Sequence, residues 1–141
     1  MNVAVCANAQ CTLQSCTGDL TRSNGNHQQF LKQRFTGGSR LEFVRTENQL
    51  HNVTDLKQFG SVELSNVGSI TFLSGPENHD GIVTRRGTIT MKNRTVRSDV
   101  FIVLGMKGHP KFTSSRSYVL DPHNEELKLE DDSIKAVTFG K

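Results

Sequence analysis

Two runs of residues between positions 87 and 106 constrain the fold of this chain more than any other feature. In the first run, Ile89 and Met91 alternate with threonine and lysine side chains, and a period of two is typical of a half-buried β-strand. The second run is continuously apolar over residues 100–104, which indicates a strand covered on both faces. These runs predict a protein built on a β-sheet.

Further alternating segments extend this sheet over most of the chain. The segments predicted as strands are residues 3–13, 40–45, 61–66, 69–73, 82–86 and 116–120. Clusters of turn-forming residues predict loops over 17–29 and 75–81. We expect a mainly β fold of antiparallel sheets, arranged as a sandwich, a barrel or a curved sheet, with one or two short helices.

The strongest helix signal covers residues 46–59. Thr46 and Gln49 have the spacing of a capping box, and three apolar residues then recur at helical spacing before Gly60. The end of the chain leaves a helix and a hairpin as alternatives, and it favours one helical turn over residues 122–128 followed by a strand.

The length of 141 residues fits a single domain, residues 1–141, with an extended N-terminal strand or arm over about residues 1–16. Hydrophobic residues make up only 34% of the chain, and there is no Trp. Burial at a subunit interface would add to such a lean core, so we expect a homo-oligomer. A modestly stable monomer is the alternative.

Basic residues are the strongest functional indication. Residues 1–118 carry 14 Lys and Arg against eight Asp and Glu, whereas residues 119–141 carry three against six. Lys and Arg neutralise phosphates, and neighbouring hydroxyl and amide side chains add hydrogen bonds to phosphate and sugar. The residues predicted to contact nucleic acid are Arg85, Arg86, Lys92, Arg94, Arg97, Lys32 and Arg34.

Lys32 and Arg34 belong to a second basic group, which also contains aromatic residues. Its further members are Arg40 and Arg45, with Phe30 and Phe35 as side chains that could stack on bases. The alternative for both groups is a solvated sheet face on which Lys and Arg prevent the edge strands from pairing with other chains.

The three cysteines, Cys6, Cys11 and Cys16, are spaced by five residues. An odd spacing places successive residues on opposite faces of a strand, and zinc sites usually show closer ligand pairs. The spacing therefore predicts no metal site. It leaves reduced thiols or, because the count is odd, intersubunit disulfides at these three positions.

The sequence lacks the motifs of nucleotide binding and of common hydrolases. The remaining groups with potential chemistry are His51 with Asp55, His79 with Asp80, and Asp121 with His123 and Glu125. Such groups are more typical of surface ion pairs and acidic helix caps than of catalytic or metal sites. We expect no catalytic residues, no cofactor and no metal.

In size and sheet content the chain is similar to small viral coat proteins, although no motif assigns it to a family. The sequence predicts a non-enzymatic structural protein that self-assembles into a coat or capsid-type shell. Its basic sheet face would contact nucleic acid, RNA before DNA. A small-ligand-binding β-barrel or sandwich is the alternative, and an enzyme is the third and least favoured class.

Without a signal peptide or a bilayer-length apolar segment, we expect synthesis in the cytoplasm, no membrane partner and, for a coat protein, a place in the virion.

Overall fold

The computed structural model describes residues 16–33, 35–36, 39–108, 116–120 and 127–140. Within these ranges the chain is mainly antiparallel β-sheet with one short α-helix, α1 (Glu47–His51), and the predicted fold class is confirmed. The first seven strands are β1 (Cys16–Arg22), β2 (His27–Gln33), β3 (Phe35–Thr36), β4 (Arg40–Val44), β5 (Gly60–Glu63), β6 (Val67–Phe72) and β7 (Glu77–His79). The other six are β8 (Ile82–Met91), β9 (Val96–Met106), β10 (Arg116–Ser117), β11 (Val119–Leu120), β12 (Leu127–Lys128) and β13 (Ile134–Phe139).

The strands form one large and one small sheet, and the large sheet is open. Eight strands of the large sheet follow one another in the order β2-β1-β13-β6-β8-β9-β4-β5, while β7 pairs with β8 and β10 pairs with β9. The small sheet has the order β12-β11-β3. Strands that are distant in sequence, such as β1 and β13, are therefore direct neighbours.

The two strands predicted over residues 87–106 are confirmed, and the structure pairs them as the inner hairpin of the large sheet; the segment predicted as a separate strand over 82–86 is part of β8. β8 and β9 are ten and eleven residues long, and Thr90 lies opposite Val96 beside the connecting loop. The apolar run on β9 is buried on both faces. Ile102 belongs to the main hydrophobic cluster, and its neighbour Val103 belongs to a second one.

The main cluster draws residues from almost every long strand. Its members are Leu20, Phe30, Leu41, Phe43, Val62, Leu64, Val67, Ile70, Phe72, Ile89, Val100, Ile102, Leu104, Tyr118, Leu129, Ile134, Val137 and Phe139. The second cluster contains Val44, Leu50, Val53, Phe59, Ile82, Val103 and Met106. Because successive residues of a strand point to opposite faces, the second cluster packs α1 and the residues after it on the other side of β9.

Helix α1 begins where the sequence predicts and ends earlier. Thr46 Oγ1 accepts a hydrogen bond from Gln49 N over 3.2 Å, and Gln49 Oε1 accepts one from Thr46 N over 3.1 Å. The predicted capping box is therefore confirmed. The prediction that the helix continues to residue 59 is wrong, because α1 ends at His51.

Side-chain hydrogen bonds explain why the helix stops. Leu56–Gln58 forms a short 3₁₀ turn. The Oε1 atom of Gln58 accepts hydrogen bonds from the backbone N–H groups of Thr54 and Asp55, over 2.6 and 3.0 Å. Such local bonds offer the backbone an alternative to helix. Asp55 therefore lies beyond the helix, and His51 pairs within α1 instead of with Asp55.

Two segments predicted as loops contain strands. Residues 17–29 form most of the β1–β2 hairpin, whose turn covers only 23–26, and β7 lies within the predicted loop at 75–81. Apart from Leu20 and Phe30, both buried, the hairpin offers little apolar signal. Pairing with neighbouring strands rather than intrinsic propensity specifies such polar strands.

Several predicted features lie outside the described residues. These are the strand over residues 3–13, Cys6, Cys11, Arg34 and the helical turn after residue 121 with Asp121, His123 and Glu125. Cys16 begins β1, and the pairing of its thiol stays a prediction. Among the residues described, no helix has the length and apolar composition needed to cross a bilayer.

Candidate nucleic-acid interface

The loop between β8 and β9 carries two of the predicted nucleic-acid contacts, Lys92 and Arg94. Met91 N donates to Thr95 O over 2.8 Å, and Arg94 N donates to Met91 O over 2.9 Å, which closes a tight loop. Arg94 has a φ of 73°, a left-handed conformation that is uncommon for a large side chain. Both cations are exposed, and partial burial lowers the pKa of Lys92. We call residues 92–95 the hairpin tip.

Arg86 is exposed on β8 and is bound to Asp99 on β9. Its Nη2 donates to both carboxylate oxygens over 2.7 Å, and its Nε donates to Oδ1 over 2.9 Å. These hydrogen bonds raise the pKa of Arg86 and lower that of Asp99. The charge of Arg86 is therefore already balanced, and a phosphate would have to compete with a carboxylate for it.

Arg85 lies in the core. Its side chain is 3% exposed. Nε donates to Ser74 O over 2.9 Å, and Nη1 donates to Leu129 O and Asp131 O over 3.1 and 2.9 Å. The guanidinium lies 3.9 Å from the centre of the Phe72 ring, and burial lowers the pKa of Arg85. Arg85 joins separate segments of the fold and is not placed to contact a phosphate.

Arg45 and Arg97 together line two adjoining depressions of about 250 Å³ each. Arg97 lies on β9, and Arg45 directly follows β4. The first depression is lined by Arg45, Val96, Arg97, Ser98, Asp99 and Val100. The second is lined by Phe43, Val44, Arg45, Gln49, Gln58, Gly60, Ser61 and Arg97. We call the two depressions the Arg45–Arg97 groove.

One nitrogen of Arg97 is the feature of the groove that most directly indicates a ligand. The Nε atom is buried and has no hydrogen-bond partner among the described residues. A buried donor without an acceptor costs about 1–3 kcal/mol of folding free energy. An anionic oxygen bound in the groove would offer that acceptor, and charge-assisted bonds to guanidinium are stronger than neutral ones.

The structure separates Lys32 and Phe30 of the second basic group from this groove, whereas Arg40 borders it. Lys32 lies on β2, and four strands stand between β2 and β9 in the large sheet. Arg40 Nε donates to Oγ of Ser61, a lining residue of the second depression, over 3.0 Å, and its Nη1 pairs with Glu63 over 2.6 Å, so the charge of Arg40 is already balanced. Phe30 is 4% exposed in the main cluster, so it cannot stack on a base in this fold. Of the described members of that group, Arg45 joins the groove.

Sequence reasoning missed the polar residues that surround the two arginines. Gln49 Oε1 accepts a hydrogen bond from Arg45 N over 2.8 Å. The side-chain oxygen Oε1 of Gln58 accepts hydrogen bonds from two backbone N–H groups. These bonds orient each amide so that its NH₂ group remains as a donor. The capping-box spacing could have located Gln49. No sequence signal joins Gln58 or Ser61 to β9.

Comparison with models of known protein families, with curated protein sequences and with solved structures finds no match for this chain.

Proposed function

We propose that this chain is a non-enzymatic structural protein that binds the backbone of a nucleic acid in the Arg45–Arg97 groove and assembles with copies of itself into a coat-type shell. The observation that carries the proposal is the unpartnered Nε of Arg97, next to a second arginine in a polar groove. Phosphate oxygens, like carboxylates, are strong acceptors for guanidinium groups, often through two parallel bonds.

The hairpin tip extends this basic surface. Val96, the first residue of β9, lines the groove and directly follows the tip. Lys92 and Arg94 are therefore close in the chain to the groove residues Val96 and Arg97. The acidic residue in the groove, Asp99, is held by Arg86. A polyanion that follows this surface would meet positive charge at the tip and again in the groove.

The composition of this surface favours contacts with phosphate over recognition of bases. Phe30, Phe43, Phe59, Phe72 and Phe139 are all buried. These rings offer no platform for base stacking, and Phe101, which is partly buried, packs against the second cluster. Phosphate contacts fix the position of a nucleic acid and carry no sequence information. We therefore propose binding without sequence preference, with RNA as the first candidate ligand.

The open large sheet supports self-assembly. β5 ends the strand order, and in the described ranges it pairs only with β4. An open strand edge leaves backbone donors and acceptors that a strand of another copy can use. Exposed apolar side chains, such as Leu73 at 54% exposure, would add buried area at contacts between copies.

The first test measures mass and nucleic-acid content together. Protein purified without nuclease is analysed by size-exclusion chromatography with light scattering and with absorbance at two wavelengths that separate nucleic acid from protein. We expect particles many times heavier than the 15.7 kDa of one chain, with bound nucleic acid that nuclease and high salt release. A monomeric peak without nucleic acid, also after addition of RNA, would contradict the proposed function.

The second test removes the two groove arginines. The double variant Arg45→Gln, Arg97→Gln keeps hydrogen-bond donors but loses both charges. Counterion release predicts a shallower slope of log affinity against log salt. The change is about 0.7 for each arginine that no longer neutralises a phosphate of a single strand, or about 1.4 for both. Binding of a fluorescent single-stranded RNA at several salt concentrations measures this slope.

A charge change elsewhere provides the matched control. Lys135 is exposed on β13, and three strands stand between β13 and β4 in the strand order. Lys135→Gln is expected to keep the salt slope of the wild type. Equal slopes for the double variant and the wild type, with both proteins folded by circular dichroism, would place the RNA contact outside the groove.

A further inference from the structure

Three potential metal ligands converge on the side of the molecule where α1 meets β7. Glu47 and His51 lie one turn apart on α1, and His79 is the last residue of β7. Their ligand atoms all lie within 4.8 Å of one another. The two imidazole rings meet edge to face, with centres 5.9 Å apart and planes at 78°.

Hydrophobic packing brings these residues together. Leu50 of α1 and Ile82 of β8 belong to the same buried cluster. Ile82 pairs with His79 across the β7–β8 turn, so a helix packed on Ile82 also approaches His79. The convergence therefore depends on buried residues, whereas Glu47 and His51 themselves are exposed.

His79 carries an unsatisfied ring nitrogen. Its side chain is 11% exposed, and its Nε2 atom is buried without a hydrogen-bond partner among the described residues. The carboxylate oxygen Oε1 of Glu77 lies 3.7 Å from this nitrogen, beyond hydrogen-bond distance. Buried imidazole nitrogens normally have a partner, and a metal ion at this position would provide one.

We propose that Glu47, His51 and His79 bind one zinc ion, which ties α1 to the β7–β8 hairpin. Two imidazoles and one carboxylate are typical zinc ligands, whereas Mg²⁺ and Ca²⁺ prefer sets of oxygen atoms. Tetrahedral coordination at about 2.0–2.1 Å places ligand atoms about 3.3 Å apart. The 3.4 Å between His51 Nε2 and Glu47 Oε2 already meets this spacing.

The remaining adjustments fall on side chains that are free to rotate toward the ion. Glu47 and His51 are 61% and 54% exposed, so their rotamers can change without disturbing the core. The fourth position is left to water; the carboxylate of Glu77, 3.7 Å from His79 Nε2 and 60% exposed, is not one of the three converging ligands. This site is independent of the Arg45–Arg97 groove and of the proposed function.

The experiment titrates zinc into the full-length chain after removal of metal with a chelator. Calorimetry and thermal unfolding follow each addition. We expect one zinc ion per chain and a melting temperature that rises with free zinc, since the ion binds only the folded arrangement. His51→Ala removes an exposed ligand without touching the core, and it is expected to weaken binding by more than about tenfold.

Two controls locate the site. His27→Ala removes another exposed histidine, whose Nδ1 lies 2.8 Å from Asp19 Oδ2 on the β1–β2 hairpin, and it should leave zinc affinity unchanged. A variant with Cys6, Cys11 and Cys16 all changed to serine should also bind one ion. Co²⁺ in place of zinc should give the intense visible bands of tetrahedral coordination without a thiolate charge-transfer band.

Four results would overturn the site. These are no binding by the wild type, unchanged affinity in His51→Ala, loss of binding in the serine variant, and a thiolate band with Co²⁺. The last two would move the metal to the cysteines.

Discussion

Replacing Arg85 with methionine is expected to lower the free energy of unfolding by about 3 kcal/mol or more. Methionine keeps most of the apolar length of the side chain but donates no hydrogen bond. The carbonyls of Ser74, Leu129 and Asp131 would lose their guanidinium donors, the bond to Leu129 being buried and the other two partly buried. Each hydrogen bond to a charged group contributes about 1.5–3 kcal/mol, less the cost of burying the cation.

Unfolding in urea, followed by circular dichroism, measures this effect. Arg86→Met is the matched control, because Arg86 is the next residue and is exposed, with Asp99 as its partner. Exposed ion pairs contribute little, so this variant should unfold close to the wild type. Arg85→Lys should fall between the two, since one ammonium group cannot reach all three carbonyls. An Arg85→Met protein as stable as the wild type would contradict a structural role for Arg85.

The different environments of Arg85 and Arg86 show what the sequence can and cannot predict. Strand alternation places adjacent residues on opposite faces, so the sequence does imply that only one of them shares a face with the core. The partners of Arg85 lie 11, 44 and 46 residues away along the chain. The order of the strands in the sheet decides which face of β8 these partners cover, and no local sequence pattern predicts that order. Both arginines were therefore predicted as phosphate contacts.

The two arginines of the groove were predictable from the sequence, but their proximity was not. The sequence located Arg97 in a basic cluster and Arg45 in another, but the pairing of β4 with β9 joins them. Antiparallel pairing between distant strands depends on the whole chain. The start of α1 was predicted because a capping box is local, whereas its end depended on a competing side chain of Gln58.

Gly18 of β1 lies where its neighbours leave no room for a side chain. It lies opposite Phe139 of β13 and opposite Phe30 of β2. A Cβ atom at this position would clash with the backbone oxygen of Thr138 and would lie 2.6 Å from Cζ of Phe30. The Phe30 and Phe139 rings meet edge to face in the main cluster, with centres 6.5 Å apart. The Thr138 carbonyl belongs to the backbone of β13, so relief of the clash requires that strand or β1 to shift.

Gly18→Ala is therefore expected to destabilise the protein by about 3 kcal/mol or more, at the upper end of the range for overpacked cores, because the clash involves backbone. Gly25→Asn is the control on the same hairpin. Its Cβ meets nothing within 4 Å, and its φ of 90° is a left-handed conformation that asparagine tolerates best among residues with a side chain. Urea unfolding of both variants should show a large loss for Gly18→Ala and a small one for Gly25→Asn. Equal stabilities would mean that β1 can move away from β13 at little cost, and that the edge formed by β1 and β2 is held more loosely than its buried residues Leu20 and Phe30 imply.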